Sequence, residues 1–288
     1  MSASARTTHV TLPKGATLPV GITIERPQPG CDRHAALFYL HGGGLLYGVR
    51  DDLPRRYVDI ILGRGLTLVT ADYPLAPQVQ IGAILNAIEE VFRSSSDLLP
   101  EGRTFLCGRS AGAYLALMLA HRLGQSGEAP AGVADFYGYC NLAKMRAALF
   151  QPSLHYRRTY ALVAPRTARR LAGTEPLSSA PLERRLGLYV YARQTGNWGS
   201  LLAVTPSNLD AFSLDAEAQQ DLPPLFIAAS RDDEDVPFQN ATTLAAQAPT
   251  AKTFFVDEGG HDFDRDLARP EGMAAWNSCL DWAGRKIL

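Results

Sequence analysis

Long hydrophobic runs are missing from this sequence. No apolar stretch approaches the roughly 20 residues that cross a bilayer, so a membrane-spanning chain is not expected. The opening residues, M-S-A-S-A-R-T-T-H-V, lack the apolar core of a secretory signal peptide. Cysteine is sparse: Cys31, Cys107, Cys140 and Cys279 lie far apart, with no C-x-x-C pair. That spacing argues against a disulfide framework and reads as reduced, buried thiols of a cytoplasmic protein. A surplus of one charge is also absent. The formal net charge is -1, which gives no global pull toward nucleic acid or membrane. Metal-ligand spacing, a phosphate-binding loop, internal repeats and low-complexity tracts are not found, so neither metal nor organic cofactor is expected.

What is present is ample core material. Of 288 residues, 46% are hydrophobic and 20% charged, enough for one large α/β domain carrying an insertion or for two smaller domains. Short apolar runs at 35–40, 66–70, 104–107, 132–137, 224–229 and 252–256 predict strands buried on both faces, as in a parallel sheet. Helical patterns at 51–62, 81–93, 111–123, 238–247 and 272–287 lie between or after them, which predicts βαβ units. Residues 19–26 alternate like a half-exposed edge strand. The stretch 141–205 breaks the rhythm. It is helical in flavour and holds ten basic residues against Glu175 and Glu183, about +8 in a chain whose total is -1. It is expected to be a helical cap, inserted into a core formed by 1–140 and 206–288, over the carboxyl ends of the strands. Two readings of its charge stay open: steering of an anionic substrate, or solvated helix faces paired with the acidic core.

Four stretches carry candidate chemistry. In G-R-S-A-G (108–112) a strand runs through a sharp turn into a helix, which would force Ser110 out at the tip. Ala111 would offer its N–H at the helix N-terminus, where negative charge is favoured. H-G-G-G (41–44) follows an apolar run, and side-chain-free residues expose the N–H donors that an oxyanion hole requires. His41 reads as structural. The run 224–229 leads into the acidic loop S-R-D-D-E-D-V-P, and a late strand leads into V-D-E-G-G-H-D-F, which bears His261. A serine needs a base to attack, and the base needs an acid to hold its tautomer. Ser110, an aspartate and His261 come in that chain order.

Together H-G-G-G, G-R-S-A-G, the acidic loop and G-G-H-D-F resemble the hormone-sensitive-lipase-like branch of the α/β hydrolases, a group of carboxylesterases. D-Y-P-L-A-P (72–77) is similar to that branch's D-Y-R-L-A-P segment. The resemblance covers about 20–140 and 222–285. It implies an α/β-hydrolase fold with a mostly parallel sheet, nucleophile Ser110, base His261 and oxyanion donors at Gly43, Gly44 and Ala111. Families of this fold usually read G-x-x-D after the seventh core strand. With Ser230 in the glycine's place the acid is Asp233, which D-x-x-V-P also favours; Asp232 and Asp235 are the rivals. Three departures stand out: Arg109 beside the serine where many relatives carry Asp or Glu, Pro74 for an arginine, and an N-terminus too short for the helical cap of many members.

The expected activity is hydrolysis of short-to-medium acyl esters through an acyl-enzyme, with a small-molecule ester as partner. Leu45, Leu46 and Tyr47 are expected to line the pocket. Tyr189, Tyr191 and Trp198 are candidates for its roof or for cap core. Formamide or peptide hydrolysis and a non-catalytic receptor on the same fold remain alternatives. Dimerisation through the edge strand or the cap stays open.

Overall fold

The computed structural model describes residues 5–11, 18–100 and 103–287; part of the N-terminal stretch read for a signal peptide lies outside them. Eight strands form one sheet in the order β1-β2-β4-β3-β5-β6-β7-β8. They are β1 (Ala5–Thr11), β2 (Val20–Arg26), β3 (Ala35–Leu40), β4 (Leu66–Ala71), β5 (Thr104–Arg109), β6 (Gly132–Phe136), β7 (Leu225–Ser230) and β8 (Ala251–Val256). β1 with β2 and β2 with β4 are antiparallel; every other pair is parallel. β3 to β7 are buried along their whole length, as helices on both faces require. Those helices include α1 (Arg55–Gly63), α2 (Ile81–Ser94) and α3 (Ala111–Gln125). After β6 come α4 (Arg146–Phe150), α5 (Leu154–Thr159), α6 (Pro165–Ala172), α7 (Leu182–Thr195), α8 (Trp198–Leu201) and α9 (Ala216–Gln220). The core closes with α10 (Gln239–Gln247) and α11 (Pro270–Ile287).

One expectation is corrected. The 19–26 stretch is not an edge strand: all seven residues of β1 pair along β2, which is largely buried. β1 takes the edge with both faces exposed. Its sequence, A-R-T-T-H-V-T, offers no hydrophobic alternation, so only its β-branched residues favour a strand. A second concerns the thiols. Cys107, Cys140 and Cys279 are buried and unpaired, whereas Cys31 is exposed.

The topology fixes where a site can be. From β3 the chain steps outward to β4; from β5 it steps the other way, through β6 to β8. The crevice at the carboxyl ends of β3 and β5 is therefore a switch point, where open α/β sheets hold ligands. Parallel pairing brings the loops after β3, β5, β7 and β8 to that same end. Leu40 registers with Gly108, and Ser230 with Val256.

Candidate active site

Ser110 sits at the tip of the β5–α3 turn with φ 54° and ψ -121°, a conformation L-residues seldom adopt. The two glycines make the turn possible. A Cβ at Gly108 would collide with the backbone of Gly112, and one at Gly112 with the carbonyls of Leu40 and His41. The turn is pinned by the Ser110 N–H donating to Phe136 O (2.8 Å). Ser110 O accepts from Ala113 N (2.9 Å) and Tyr114 N (3.1 Å). Ala111 opens α3, so its N–H has no acceptor within the helix.

His261, from the loop after β8, faces the serine. Its Nε2 lies 2.8 Å from Ser110 Oγ and its Nδ1 2.7 Å from Asp233 Oδ2. A carboxylate accepts only, so Nδ1 carries the proton and Nε2 is left free to accept from the hydroxyl. Burial disfavours a charged ring here. The Asp233 carboxylate and its hydrogen bond outweigh that, and the His261 pKa lies above its ordinary value.

Three aspartates crowd the loop after β7, and the geometry gives each a different partner. Asp233 is almost fully buried. Its Oδ1 accepts the N–H groups of Asp235 and Val236 at 2.8 Å each, which turns Oδ2 toward His261. Asp232 accepts from Gly260 N (2.8 Å), Gly259 N (3.2 Å) and the Ser230 hydroxyl, tying the histidine loop to β7. Asp235 accepts Tyr156 OH (2.9 Å) and Tyr189 OH (3.1 Å) from the helical segment and pairs with the buried Arg193. Its Oδ2 stands 3.9 Å from His261 Nε2.

The H-G-G-G loop lies against the serine. Gly43 and Gly44 have φ of +104° and +60°, and a Cβ on Gly44 would strike the Tyr189 ring. The loop is clamped from both sides. Tyr73 OH donates to His41 O (2.9 Å), and Trp198 Nε1 donates to Gly44 O (2.9 Å). His41 is fully buried, stacked on Tyr73, and contacts Gly42 O through Nδ1 at 2.8 Å. Burial pushes its pKa down to about 4, so the ring is neutral and supports the loop. The D-Y-P-L-A-P segment thus braces the glycine loop through Tyr73. Its Asp72 accepts Arg50 N (2.8 Å) and pairs with the Arg50 guanidinium.

These groups open into a cavity of about 950 Å³. Gly42, Gly43, Gly44, Ser110, Tyr137 and His261 line it from the sheet side, and Tyr156, Tyr160, Leu186 and Tyr189 from the helical segment. Of the three expected pocket residues only Tyr47 lines it. Leu45 and Leu46 are corrected: both are wholly buried in the hydrophobic core. The N–H groups of Leu46 and Tyr47 both donate to Gly43 O, and this tight turn directs the two leucines inward. Tyr189 is a lining residue, Trp198 is buried in the hydrophobic core, and Tyr191 borders a separate groove. None of the ten basic residues in 141–205 lines the cavity, where Asp52, Asp232, Glu234, Asp235 and Asp262 outnumber Arg109 and Arg265. Anion steering into this cavity loses its footing.

A buried network around Arg109 escaped sequence reasoning. Arg109 donates to Tyr137 OH (2.5 Å) and Asp264 Oδ1 (2.8 Å). Tyr137 OH also donates to that oxygen (2.7 Å), and Trp276 Nε1 to Asp264 Oδ2 (2.9 Å). The Tyr137 ring packs edge-on against His261, with centroids 5.0 Å apart. The charge beside Ser110, opposite in sign to that of many relatives, is thus neutralised by an aspartate that only the fold brings near. Among the described residues no group of side chains is arranged to hold a metal ion, and no helix is long and apolar enough to cross a membrane.

Comparison with known proteins agrees with this geometry. Esterase LipU of Mycobacterium tuberculosis is 31% identical over 182 residues; the match covers 58% of this chain and 59% of LipU, less than two thirds of that relative. A protein described as of unknown function from Staphylococcus aureus superposes with a TM-score of 0.88 at 25% identity, covering 98% of this chain and all of that one. An alpha/beta hydrolase superfamily protein from Enterococcus faecalis gives 0.83 at 26%, with 98% and 100% covered. A family model described as the alpha/beta hydrolase fold matches residues 37–263, from β3 through the loop that carries His261. With most of its length inside that match, the chain belongs to the alpha/beta hydrolase fold family.

Proposed function

We propose that this protein is a serine carboxylesterase acting on short acyl esters, with Ser110 as nucleophile, His261 as base and Asp233 as acid. The observation that carries the reading is the unbroken relay from Ser110 Oγ through the His261 ring to Asp233, at 2.8 and 2.7 Å. His261 Nε2 takes the hydroxyl proton as Oγ attacks the ester carbonyl. Asp233 holds the Nδ1 proton and stabilises the imidazolium. The N–H groups of Gly43, Gly44 and Ala111 receive the oxyanion, each such donor being worth about 10² to 10³ in rate. His261 then protonates the departing alcohol. Water attacks the acyl-enzyme by the same route and frees the carboxylic acid. None of these steps calls on a metal or organic cofactor.

LipU's description as an esterase supports the ester class. The lining supports small substrates: five tyrosines, Tyr47, Tyr137, Tyr156, Tyr160 and Tyr189, and several carboxylates offer poor company to a long acyl chain. We assign 141–205 as a cap over the cavity and 1–140 with 206–288 as the core. Four unpaired cysteines, one of them exposed, support a reducing cytoplasmic setting. The test is hydrolysis of p-nitrophenyl esters from acetate to palmitate by the native protein and by Ser110→Ala. Turnover should peak at short chains and vanish in the variant. Turnover that persists in Ser110→Ala, or none with any ester, would reject the proposal.

A further inference from the structure

Apart from Arg193, which pairs with Asp235, the cap's basic excess plays no part in the cavity and needs another account. Arg157, Arg158, Arg166, Arg169 and Arg170 are all exposed, and none forms an ion pair with a carboxylate among the described residues. Nor does any Asp or Glu occur from Gln151 to Thr174. The expected pairing of these helix faces with the acidic core is therefore not what the structure has. Leu154, Arg157 and Arg158 share one face of α5, and Arg166, Arg169 and Arg170 one face of α6, by their three- and four-residue spacing.

At the start of α5 and between the two helices the chain exposes hydrophobic side chains. Leu162 is 78% exposed, Leu154 64% and Tyr160 38%, three of the five large exposed hydrophobics among the described residues. Their exposure is built in. Gln194 of α7, itself buried, accepts Val163 N (3.0 Å) and donates to the carbonyls of Tyr156, Tyr160 and Ala161 (3.2, 3.3 and 3.1 Å). Arg157 Nε adds a bond to Gln194 O (2.9 Å). A loop pinned on both sides of Leu162 holds that side chain in water at a cost, because it cannot fold back onto the core.

We propose that this face of the cap is a docking surface for an anionic lipid bilayer. Leu154 and Leu162 enter the boundary between headgroups and acyl chains, while the five guanidinium groups pair with lipid phosphates. Charge complementarity selects an anionic partner. The two strongly exposed leucines select lipid over nucleic acid, which offers them nothing. Tyr160 belongs both to this patch and to the cavity lining, so docking sets the cavity mouth beside the headgroups. The inference does not depend on the reaction proposed above.

Sedimentation with vesicles decides it. The native protein should pellet with phosphatidylcholine vesicles containing phosphatidylglycerol and stay in solution with phosphatidylcholine alone, and salt should release it. Leu154→Ser with Leu162→Ser should lower partitioning at least about tenfold. Arg158→Glu, Arg166→Glu and Arg170→Glu together should lower it about a hundredfold or more. All these residues lie outside the cavity, and circular dichroism checks folding whether or not esters are turned over. Equal affinity for both vesicle types, or no binding at low salt, would overturn the proposal. So would binding lost with the arginines yet indifferent to the leucines, which would mark a general polyanion surface.

Discussion

At the scale of single residues, the division of labour among Asp232, Asp233 and Asp235 makes a sharp prediction. Asp233→Asn leaves Nδ1 without its carboxylate acceptor and should cut kcat by about 10⁴. Asp235→Asn, whose carboxylate faces the cap, should cost far less. The pH profile should separate them further. His261 acts only when neutral, so kcat/KM falls as pH drops through its pKa. Because Asp233 raises that pKa, the acid limb should lie above the ordinary histidine value of about 6.5 and move to lower pH in Asp233→Asn. A limb unmoved by the substitution would mean that Asp233 does not act on His261. Ser110 and His261 were legible because motif and chain order point at them. Asp233 was favoured over Asp232 and Asp235 only through the family resemblance, by G-x-x-D and D-x-x-V-P, and it is Asp233 that meets His261. What distinguishes them is two backbone N–H groups turning one carboxylate, and sequence does not display backbone direction.

At the scale of elements, the strand–turn–helix of β5 and α3 is the part read most closely, since an apolar run, two glycines and a small-residue helix each favour it. The same crowding predicts its fragility. Gly112→Ala pushes a methyl into the Leu40 and His41 carbonyls, so the turn must open and move Ser110 away from His261. Stability should fall by about 1 to 3 kcal/mol, and turnover should fall by at least about a hundredfold while a melting curve still shows a folded protein. Full activity in this variant would show that the turn has slack. β1 was illegible for the opposite reason. With both faces exposed it carries no hydrophobic period, and only pairing with β2 makes it a strand. Leu45 and Leu46 misled through position: adjacency to a glycine loop suggests a pocket, but one tight turn reverses which side they face.

At the scale of the whole molecule, buried cations tie the helical segment 141–205 to the rest of the fold. Arg185 is fully buried and has no carboxylate partner among the described residues; it donates to the carbonyl oxygens of Leu46 and Ala76 outside the helical segment and of Leu171 and Ala172 within it. Arg185→Met should strand those carbonyls without water and cost about 2 to 4 kcal/mol, read as a lower Tm and as earlier protease cleavage in 141–205. An unchanged Tm would show that the cap is held by its apolar contacts alone. The segment 141–205 stood out in the sequence by its broken rhythm and its charge. Which cations go inward was not legible, because Arg185 and Arg193 look like their exposed neighbours until helix α7 is packed.

The order of strands has a consequence during synthesis. A ribosome releases Ser110 and its turn first, then the helical segment 141–205, and only afterwards β7 and β8 with the loops that carry Asp233 and His261. Arg193 emerges before Asp235 exists to receive it. The cap must therefore wait, its cation unpaired, for β7 to dock on β6. A chain stalled anywhere before β8 holds Ser110 without His261, so the contact between them cannot form until the loop after β8 has emerged.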